Sequence, residues 1–187
     1  MKAIILAGGS GSRLWPLSRE MYPKQLLSID KQDSLMQSTF KRLNKLIPAK
    51  NILAITNIKH LSDVKLQLNK VDKEAQVLAE PLAKNTAPAI ACSLEYFRQN
   101  SSEDDVVIIV PSDHLVKNTD AFVDTIKEGE KLAQQGYIVT FGIKPTYPET
   151  GYGYIKTSEQ LDCGFKVERF VEKPDFETAN QYLADGN

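Results

Sequence analysis

Segments with the pattern of strands and of helices alternate along most of this 187-residue chain, and this alternation constrains its fold more than any other feature. The first strand, Lys2–Ala7, is short and continuously apolar from Ala3, as expected of a buried strand. Further strands are predicted at residues 51–56, 75–79, 105–110 and 137–141. The pattern predicts an α/β fold, with a Rossmann-like, mostly parallel sheet flanked by helices.

The helices between these strands are predicted from apolar residues at helical spacing. They cover residues 34–47, 59–71, 86–98 and 119–135, and Gly136 would close the last of them. Ser34 and Gln37 can form a capping box at the start of the first helix. Its predicted apolar face consists of Leu35, Met36, Phe40, Leu43 and Ile47. The predicted apolar face of the third helix consists of Ala87, Ile90, Ala91, Leu94 and Phe97.

The pattern changes after Gly142. Residues 154–157 and 165–172 are predicted strands with no helix between them, which indicates a β-rich insertion towards the C-terminal end. Residues 176–183 begin another helix, and the chain stops at Gly186-Asn187 without a closing element. We expect the chain to be part of a longer protein.

Composition excludes several functional classes. A net charge of -1 provides no broad basic surface for nucleic acid. No apolar stretch approaches the ~18 residues of a membrane span, and the first apolar run is too short for a signal peptide. Cys92 and Cys163 cannot form a disulfide framework, so we expect two reduced thiols in or near a core. These features predict a cytoplasmic protein with neither nucleic acid nor membrane as a partner.

Polar and glycine residues follow three of the predicted parallel strands. The first strand leads into Gly8-Gly9-Ser10-Gly11, the third into Glu80 and then Asn85-Thr86, and the fourth into Asp113-His114. Ligands of open α/β sheets bind outside the carboxyl ends of the strands. The sequence therefore predicts one ligand site at this edge.

The glycine loop matches neither the P-loop spacing nor the dinucleotide-binding fingerprint, because Leu14 stands where the latter needs its third glycine. Consecutive glycines after a strand nevertheless allow backbone N–H groups to approach phosphate oxygens. Arg13 would add a planar fork for phosphate, and Lys24 a mobile positive charge. The alternative is a tight turn followed by two solvated cations.

Asp113 follows a strand of valine and isoleucine, where a carboxylate suits Mg²⁺ bound to phosphates. It could instead cap a helix or turn. His114 can make a structural hydrogen bond or take part in catalysis. Phosphoryl transfer depends more on positioning and charge than on a proton shuttle, which favours the structural role.

Glu80 and Asn85 can be interpreted by the hydrogen bonds they could make. Guanine presents N–H donors at N1 and N2, for which a carboxylate is a natural acceptor. The Asn85 amide can donate to a guanine carbonyl or a ribose oxygen. Glu80 could instead be solvated, and Asn85 or Thr86 could cap the next helix.

Glu172 and Lys173 end a later predicted strand and suit a sugar phosphate, since the carboxylate accepts from hydroxyls and the ammonium neutralises phosphate. A surface ion pair is the alternative. Gly151 and Gly153 could let the backbone lie against a sugar ring, or could form only a turn into a strand.

Five segments, in order, resemble the motifs of one enzyme family. They are LAGGSGSRLWPLSREMYPKQLL, EPLAKNTAPAI, VPSDH, TYPETGYGYI and FVEKPD, and the resemblance spans residues 2–183. The first resembles the signature of the sugar-1-phosphate nucleotidyltransferases. Its continuation is most similar to the bacterial mannose-1-phosphate guanylyltransferases. On this resemblance, residues 1–187 are expected to be one catalytic domain that continues beyond the last residue.

The resemblance implies that GTP and mannose 1-phosphate give GDP-mannose and pyrophosphate with Mg²⁺, in nucleotide-sugar and polysaccharide biosynthesis. It implies that Arg13 and Lys24 are catalytic and that Asp113 binds the metal. It places the sugar phosphate at Gly151, Glu172 and Lys173. It assigns the nucleotide to Leu6, Ala7, Gly8, Gly9, Gly11, Glu80, Asn85 and Thr86.

The family's second acidic metal ligand and part of its sugar pocket lie beyond residue 187. Two alternatives therefore stay open: a nucleotidyltransferase for another base or sugar, and a nucleotide-binding module that is inactive by itself. A homo-oligomer also stays open.

Overall fold

A computed structural model describes residues 1–9, 14–29, 32–100 and 105–185. Gly11 and Arg13, both predicted to bind phosphate, lie outside the described residues. The chain divides into two compact units, Met1–Asp124 and Thr125–Asn187. Each unit is described by itself.

Unit 1 contains a four-stranded parallel sheet, as predicted. Its strands are β1 (Lys2–Ala7), β2 (Ile52–Asn57), β3 (Gln76–Glu80) and β4 (Val107–Pro111), in the order β3-β2-β1-β4. Because Leu6 pairs with both Ile55 and Pro111, the neighbouring strands β2, β1 and β4 finish at the same level at their carboxyl ends. This register forms one edge from which the following loops leave.

Four α-helices begin within the described residues of unit 1: α1 (Leu35–Asn44), α2 (Leu61–Asn69), α3 (Thr86–Asn100) and α4 (Thr119–Gln134). The predicted capping box of α1 is present. Gln37 N donates to Ser34 Oγ at 3.1 Å, and Ser34 N donates to Gln37 Oε1 at 2.9 Å. The predicted apolar face of α1 is buried along its whole length. The sequence pattern was therefore sufficient to orient this helix.

The predicted apolar face of α3 is wrong in part. Its buried residues are Ala89, Ser93 and Phe97, whereas Ala87, Ala91 and Leu94 are exposed. Ala89 and Phe97 pack in one cluster with Ile4, Leu53 and Ile55 of the sheet. Since Ala89 and Ser93 are small, the helix can bring this side against the sheet, and the larger Leu94 faces away.

Unit 2 contains the end of α4, an antiparallel hairpin and a last helix. Gly136 adopts a left-handed φ of 90° just past α4, as expected of a helix terminator. The hairpin consists of β5 (Gly153–Leu161) and β6 (Gly164–Glu172), and α5 covers Phe176–Asp185. The predicted β-rich insertion is confirmed as this hairpin.

The predicted strand at residues 137–141 is wrong. The segment pairs with no other strand in the described part of the chain, and Ile138 is 98% exposed. Its apolar residues contact α4 instead. The Phe141 ring lies so close to Gly129 of α4 that a Cβ atom there would be 2.7 Å from it. Gly129 thus provides space for an aromatic ring at a helix surface.

Both cysteines are free, as predicted, but only Cys163 is partly buried. Cys92 is exposed because it lies outside the buried side of α3, which contains the next residue, Ser93. None of the helices in the described ranges combines the length and apolar character that a membrane span requires.

We expect Ser34→Ala to destabilise the protein by about 1 kcal/mol, because it removes the side-chain acceptor of the α1 capping box. Urea denaturation measures this change. Ser62→Ala, at an exposed position of α2, is the matched control and should stay within about 0.5 kcal/mol of wild type. Equal stability of the two variants would contradict a stabilising role for the capping box.

Candidate nucleotide site

A cleft of about 340 Å³ lies in unit 1 at the carboxyl ends of the strands. It is bounded by the end of β1, the 3₁₀ turn Lys24–Leu26, the loop after β3 and the loop after β4. Nine residues that the sequence assigned to a site line this one cleft: Leu6, Ala7, Gly8, Gly9, Lys24, Glu80, Asn85, Thr86 and Asp113. The structure therefore brings together the residues predicted from three separate loops.

Two buried side chains hold the end of β1. Gln25 Nε2 donates to the Ala7 carbonyl oxygen at 2.7 Å, and Thr56 Oγ1 donates to the same oxygen at 3.0 Å. Both side chains are fully buried. On the other side of β1, Ser112 N donates to the Leu6 carbonyl at 3.1 Å. The strand end that leads into the glycine loop is thus fixed from both sides.

Sequence reasoning gave Gln25 and Thr56 no role. Gln25 also lines the cleft, and its Oε1 atom is buried without a hydrogen-bond partner in the described structure. Gln25 is fully buried and its neighbour Lys24 is partly exposed, so no periodic pattern of apolar residues marks Gln25 as buried. The one signal in the sequence is its position next to Lys24.

Lys24 Nζ and the Asp113 carboxylate form an ion pair across the cleft. Their side chains are 30% and 23% exposed, so both remain accessible to a ligand. Asp113 caps neither a helix nor a turn among the described residues, which removes its structural alternative. The pair puts a mobile cation and a hard oxygen ligand at one point, as binding of a metal polyphosphate requires.

Glu80 lies beside the glycine segment. A Cβ atom on Gly8 would come within 3.2 Å of Glu80 Oε2, so glycine at this position gives the carboxylate room. Burial raises the pKa of Glu80 above the usual value of a glutamate. Glu80 is therefore not fully solvated, and within the described ranges it pairs with no cation, so it can accept hydrogen bonds from a ligand.

Asn85 precedes α3 with a left-handed φ of 66°, a conformation that asparagine tolerates better than most residues. Neither Asn85 nor Thr86 makes a side-chain capping hydrogen bond to α3 in the described structure. Both side chains are exposed where they line the cleft. The capping alternative is absent, and the Asn85 amide stays available.

The side chain of His114 is exposed, and only its backbone carbonyl makes a described hydrogen bond, which it accepts from Arg42 at 3.4 Å. No group of three or more metal-ligating side chains occurs in the described ranges. A metal ion in this cleft would have one carboxylate, Asp113, at the phosphate end. Mg²⁺ is commonly bound in this way, with the remaining ligands from phosphates and water.

The predicted sugar-phosphate residues belong to unit 2. Glu172 and Lys173 form an ion pair of 3.3 Å with side chains 60% and 64% exposed, which is the geometry of a surface pair. Gly151 N donates to Glu149 Oε1 at 2.8 Å. A Cβ atom on Gly153 would overlap the Phe170 ring, so this glycine is required by packing within the hairpin.

Comparison with known proteins agrees with this geometry. The family model described as nucleotidyl transferase matches residues 2–187. A mannose-1-phosphate guanylyltransferase of Salmonella montevideo is 44% identical over 98% of this chain and 40% of its own length. The xanthan biosynthesis protein XanB of Xanthomonas campestris is 45% identical over 98% of this chain and 39% of its own.

A solved structure shows the same fold. The protein, described as a mannose-1-phosphate geranyltransferase from Thermus thermophilus, superposes with a TM-score of 0.88 at 31% identity. The match covers 99% of this chain and 53% of that one. This chain spans about 40% of the length of the curated relatives it matches. Since the family model covers nearly every residue, the chain belongs to the nucleotidyl transferase family.

Proposed function

We propose that this chain carries the nucleotide site of a mannose-1-phosphate guanylyltransferase, which converts GTP and mannose 1-phosphate into GDP-mannose and pyrophosphate. The observation that carries the proposal is the cleft where Lys24, Asp113, Gly8 and Glu80 meet. The relatives' names support the choice of sugar and base. XanB, named for xanthan biosynthesis, supports a role in polysaccharide precursor synthesis.

In the proposed reaction, a phosphate oxygen of the sugar phosphate attacks the α-phosphorus of GTP in line. A new oxygen–phosphorus bond forms while the bond from the α-phosphorus to the bridging oxygen breaks, and pyrophosphate leaves. The backbone N–H groups after β1 bind the triphosphate, with Arg13 on the leaving group. Lys24 Nζ stabilises charge on the α-phosphate, and its placement in the free protein lowers the cost of organising the site.

Members of the family generally use a divalent metal, and we propose Mg²⁺ for this chain. Asp113 fits it, because its carboxylate lies in the cleft and is accessible. When bound, Mg²⁺ would neutralise charge on the reacting phosphates. The ion pair with Lys24 holds the Asp113 carboxylate in the cleft.

Guanine recognition is proposed for Glu80 and Asn85, which line the same cleft. The Glu80 carboxylate would accept hydrogen bonds from guanine N1–H and N2–H. Its partly buried position makes an unmatched base costly, because a carboxylate that loses water without gaining donors is destabilised. Asn85 and Thr86 would contact the base carbonyl or the ribose.

Gly151, Glu172 and Lys173 of unit 2 are proposed to bind the sugar phosphate, and residues 1–187 to belong to one catalytic domain. Because these residues are exposed in the free chain, they are available to a ligand. The cytoplasm, where GTP is abundant, is the expected compartment.

Initial rates of pyrophosphate release test the proposal. GTP, ATP, UTP and CTP are each combined with mannose 1-phosphate and with glucose 1-phosphate in the presence of Mg²⁺. The highest kcat/KM is expected for GTP with mannose 1-phosphate. Preference for UTP with glucose 1-phosphate would overturn the assignment, and GTP binding without turnover would favour a binding module.

Lys24→Met should lower kcat by about 10²-fold, the typical effect of removing one preorganised charge contact to a transition state. Because the Lys24 side chain is partly exposed, the substitution should leave the fold intact. Lys59→Met removes an equal charge at an exposed ion pair with Glu20 and is the matched control. A kcat that changes equally in both variants would contradict a role for Lys24 in the site.

Glu80→Gln should reduce the preference for GTP over ATP by about tenfold or more, since a hydrogen bond to a charged group is worth about 1.5–3 kcal/mol. The ratio of the two kcat/KM values measures it. Glu74→Gln, at an exposed position of unit 1, is the control. An unchanged ratio in Glu80→Gln would argue against base recognition by this carboxylate.

Glu80→Gln should not destabilise the fold at neutral pH. The pKa of Glu80 is raised in the folded state, so ionised Glu80 lowers the free energy of unfolding at pH values above that raised pKa. This destabilisation disappears below the pKa that Glu80 has in the unfolded chain. Glu80→Gln should therefore be at least as stable as wild type at pH 7, with the difference disappearing as the pH falls through the raised pKa. Urea denaturation of both proteins at pH 4 and at pH 7 measures the free energy of unfolding of the variant minus that of wild type. A difference that is smaller at pH 7 than at pH 4 would contradict the prediction.

A further inference from the structure

Two buried polar side chains of α1 lie against the loop that carries Asp113. Thr39 Oγ1 donates to the Ser112 carbonyl at 3.4 Å, and Arg42 Nη2 donates to the His114 carbonyl at 3.4 Å. Arg42 Nη2 also donates to Thr39 Oγ1 at 3.1 Å. The pair therefore binds the carbonyl groups on both sides of Asp113.

Both side chains are almost completely removed from solvent, with Thr39 0% and Arg42 6% exposed. Residues three apart on a helix share a face, which explains how the two meet the same loop. Ser112 is also held from its other end, because its N–H donates to the Leu6 carbonyl of β1. The backbone around Asp113 is thus anchored to the sheet and to α1.

The charge of Arg42 is unusual for its position. No carboxylate pairs with it within the described ranges, its Nε atom has no hydrogen-bond partner there, and the Phe122 ring lies 5.0 Å from its guanidinium carbon. Burial lowers the pKa of Arg42 below the usual value, yet an arginine begins far above neutral pH and stays charged. A buried guanidinium that binds mainly carbonyl and hydroxyl oxygens is costly, and an apolar residue would fill the same space at lower cost.

Residues that orient a metal ligand from behind are often as important for metal binding as the ligand itself. Within the described structure, the backbone of residues 112–114 is held by hydrogen bonds from α1 and to β1. Lys24 pairs with the Asp113 carboxylate in the cleft, and α1 fixes the backbone from which that carboxylate extends.

We propose that Thr39 and Arg42 are positioning residues for Asp113: by fixing the Ser112 and His114 carbonyls, they keep its carboxylate where a metal–nucleotide complex needs it. This inference rests on the proposed function. Neither residue lines the cleft, and both act through the backbone of the loop. The capped helix α1 is thereby connected to the phosphate end of the cleft.

Calorimetric binding of GTP, once with MgCl₂ and once with EDTA, tests the proposal. Thr39→Val and Arg42→Met should weaken GTP binding in MgCl₂ by about tenfold and leave binding in EDTA unchanged. A purely structural role would weaken both by the same factor. Thr39→Val nearly preserves side-chain volume and keeps Arg42, so it maintains the test if Arg42→Met fails to fold.

Lys41→Met is the matched control for charge. It removes a cation from the neighbouring position of α1, where Lys41 pairs with Asp33 at 2.6 Å and is half-exposed. It should leave GTP binding unchanged in both conditions. Equal effects of Lys41→Met and Arg42→Met would overturn the proposal in favour of long-range electrostatics.

Asp113→Asn allows a double-mutant cycle with Thr39→Val or Arg42→Met. Once this carboxylate is neutralised, adding Arg42→Met or Thr39→Val should produce little further loss in MgCl₂, because the effect acts through Asp113. Losses that multiply in the double variants would overturn the proposal.

Amide hydrogen exchange provides a readout that needs no ligand. The amides of residues 112–115 should exchange faster in Thr39→Val and Arg42→Met than in wild type and Lys41→Met. Unchanged exchange there would overturn the proposal even if binding fell. Absence of GTP binding by wild type in both conditions would instead refute the proposed function, and exchange alone would then decide whether the two residues fix the loop.

Discussion

The carbonyl oxygen of Ala7 is the point on which the rest of the cleft depends. It ends the central strand and accepts hydrogen bonds from Gln25 Nε2 and Thr56 Oγ1. The first of these bonds ties the turn that carries Lys24 to the sheet, and the second ties β1 to β2. Since the glycine segment starts at the next residue, the relative positions of backbone donors and Lys24 are set here.

The parallel register extends this constraint to the other loops. Leu6 is paired on both sides, so the loops after β1, β2 and β4 leave the sheet at one level. Asp113 and Lys24 can then form an ion pair although they are far apart in sequence. Glu80 reaches Gly8 because glycine leaves the necessary space. A ligand would find opposite charges, backbone donors and a partly buried carboxylate already in place.

Much of this could be predicted from sequence, because buried parallel strands are continuously apolar and their carboxyl ends are followed by glycine and polar residues. The capping box and apolar face of α1 were equally clear. The face of α3 was not, since helical spacing of apolar residues ignores how closely small residues such as Ala89 and Ser93 approach a sheet. Residues 137–141 have strand composition, but a strand also needs a partner, which composition does not specify.

The least predictable residues are those that act through the backbone. Gln25, Thr39 and Arg42 are polar, and sequence periodicity alone would place an arginine like Arg42 on a solvated helix face. Their roles depend on which carbonyl groups the fold places beside them. Glycines and carboxylates in the sequence predict which loops bind a ligand. The side chains that hold those loops by hydrogen bonds to the backbone are identified only from the folded structure.

We propose that one cleft at the carboxyl edge of the sheet in unit 1 binds the nucleoside triphosphate. Hydrogen exchange of the protein with and without GTP and MgCl₂ provides a direct test. We expect slower exchange in residues 6–9, 24–26, 80–86 and 112–114, and unchanged exchange along α2. Protection that is absent from these four segments, or that appears only elsewhere, would contradict it.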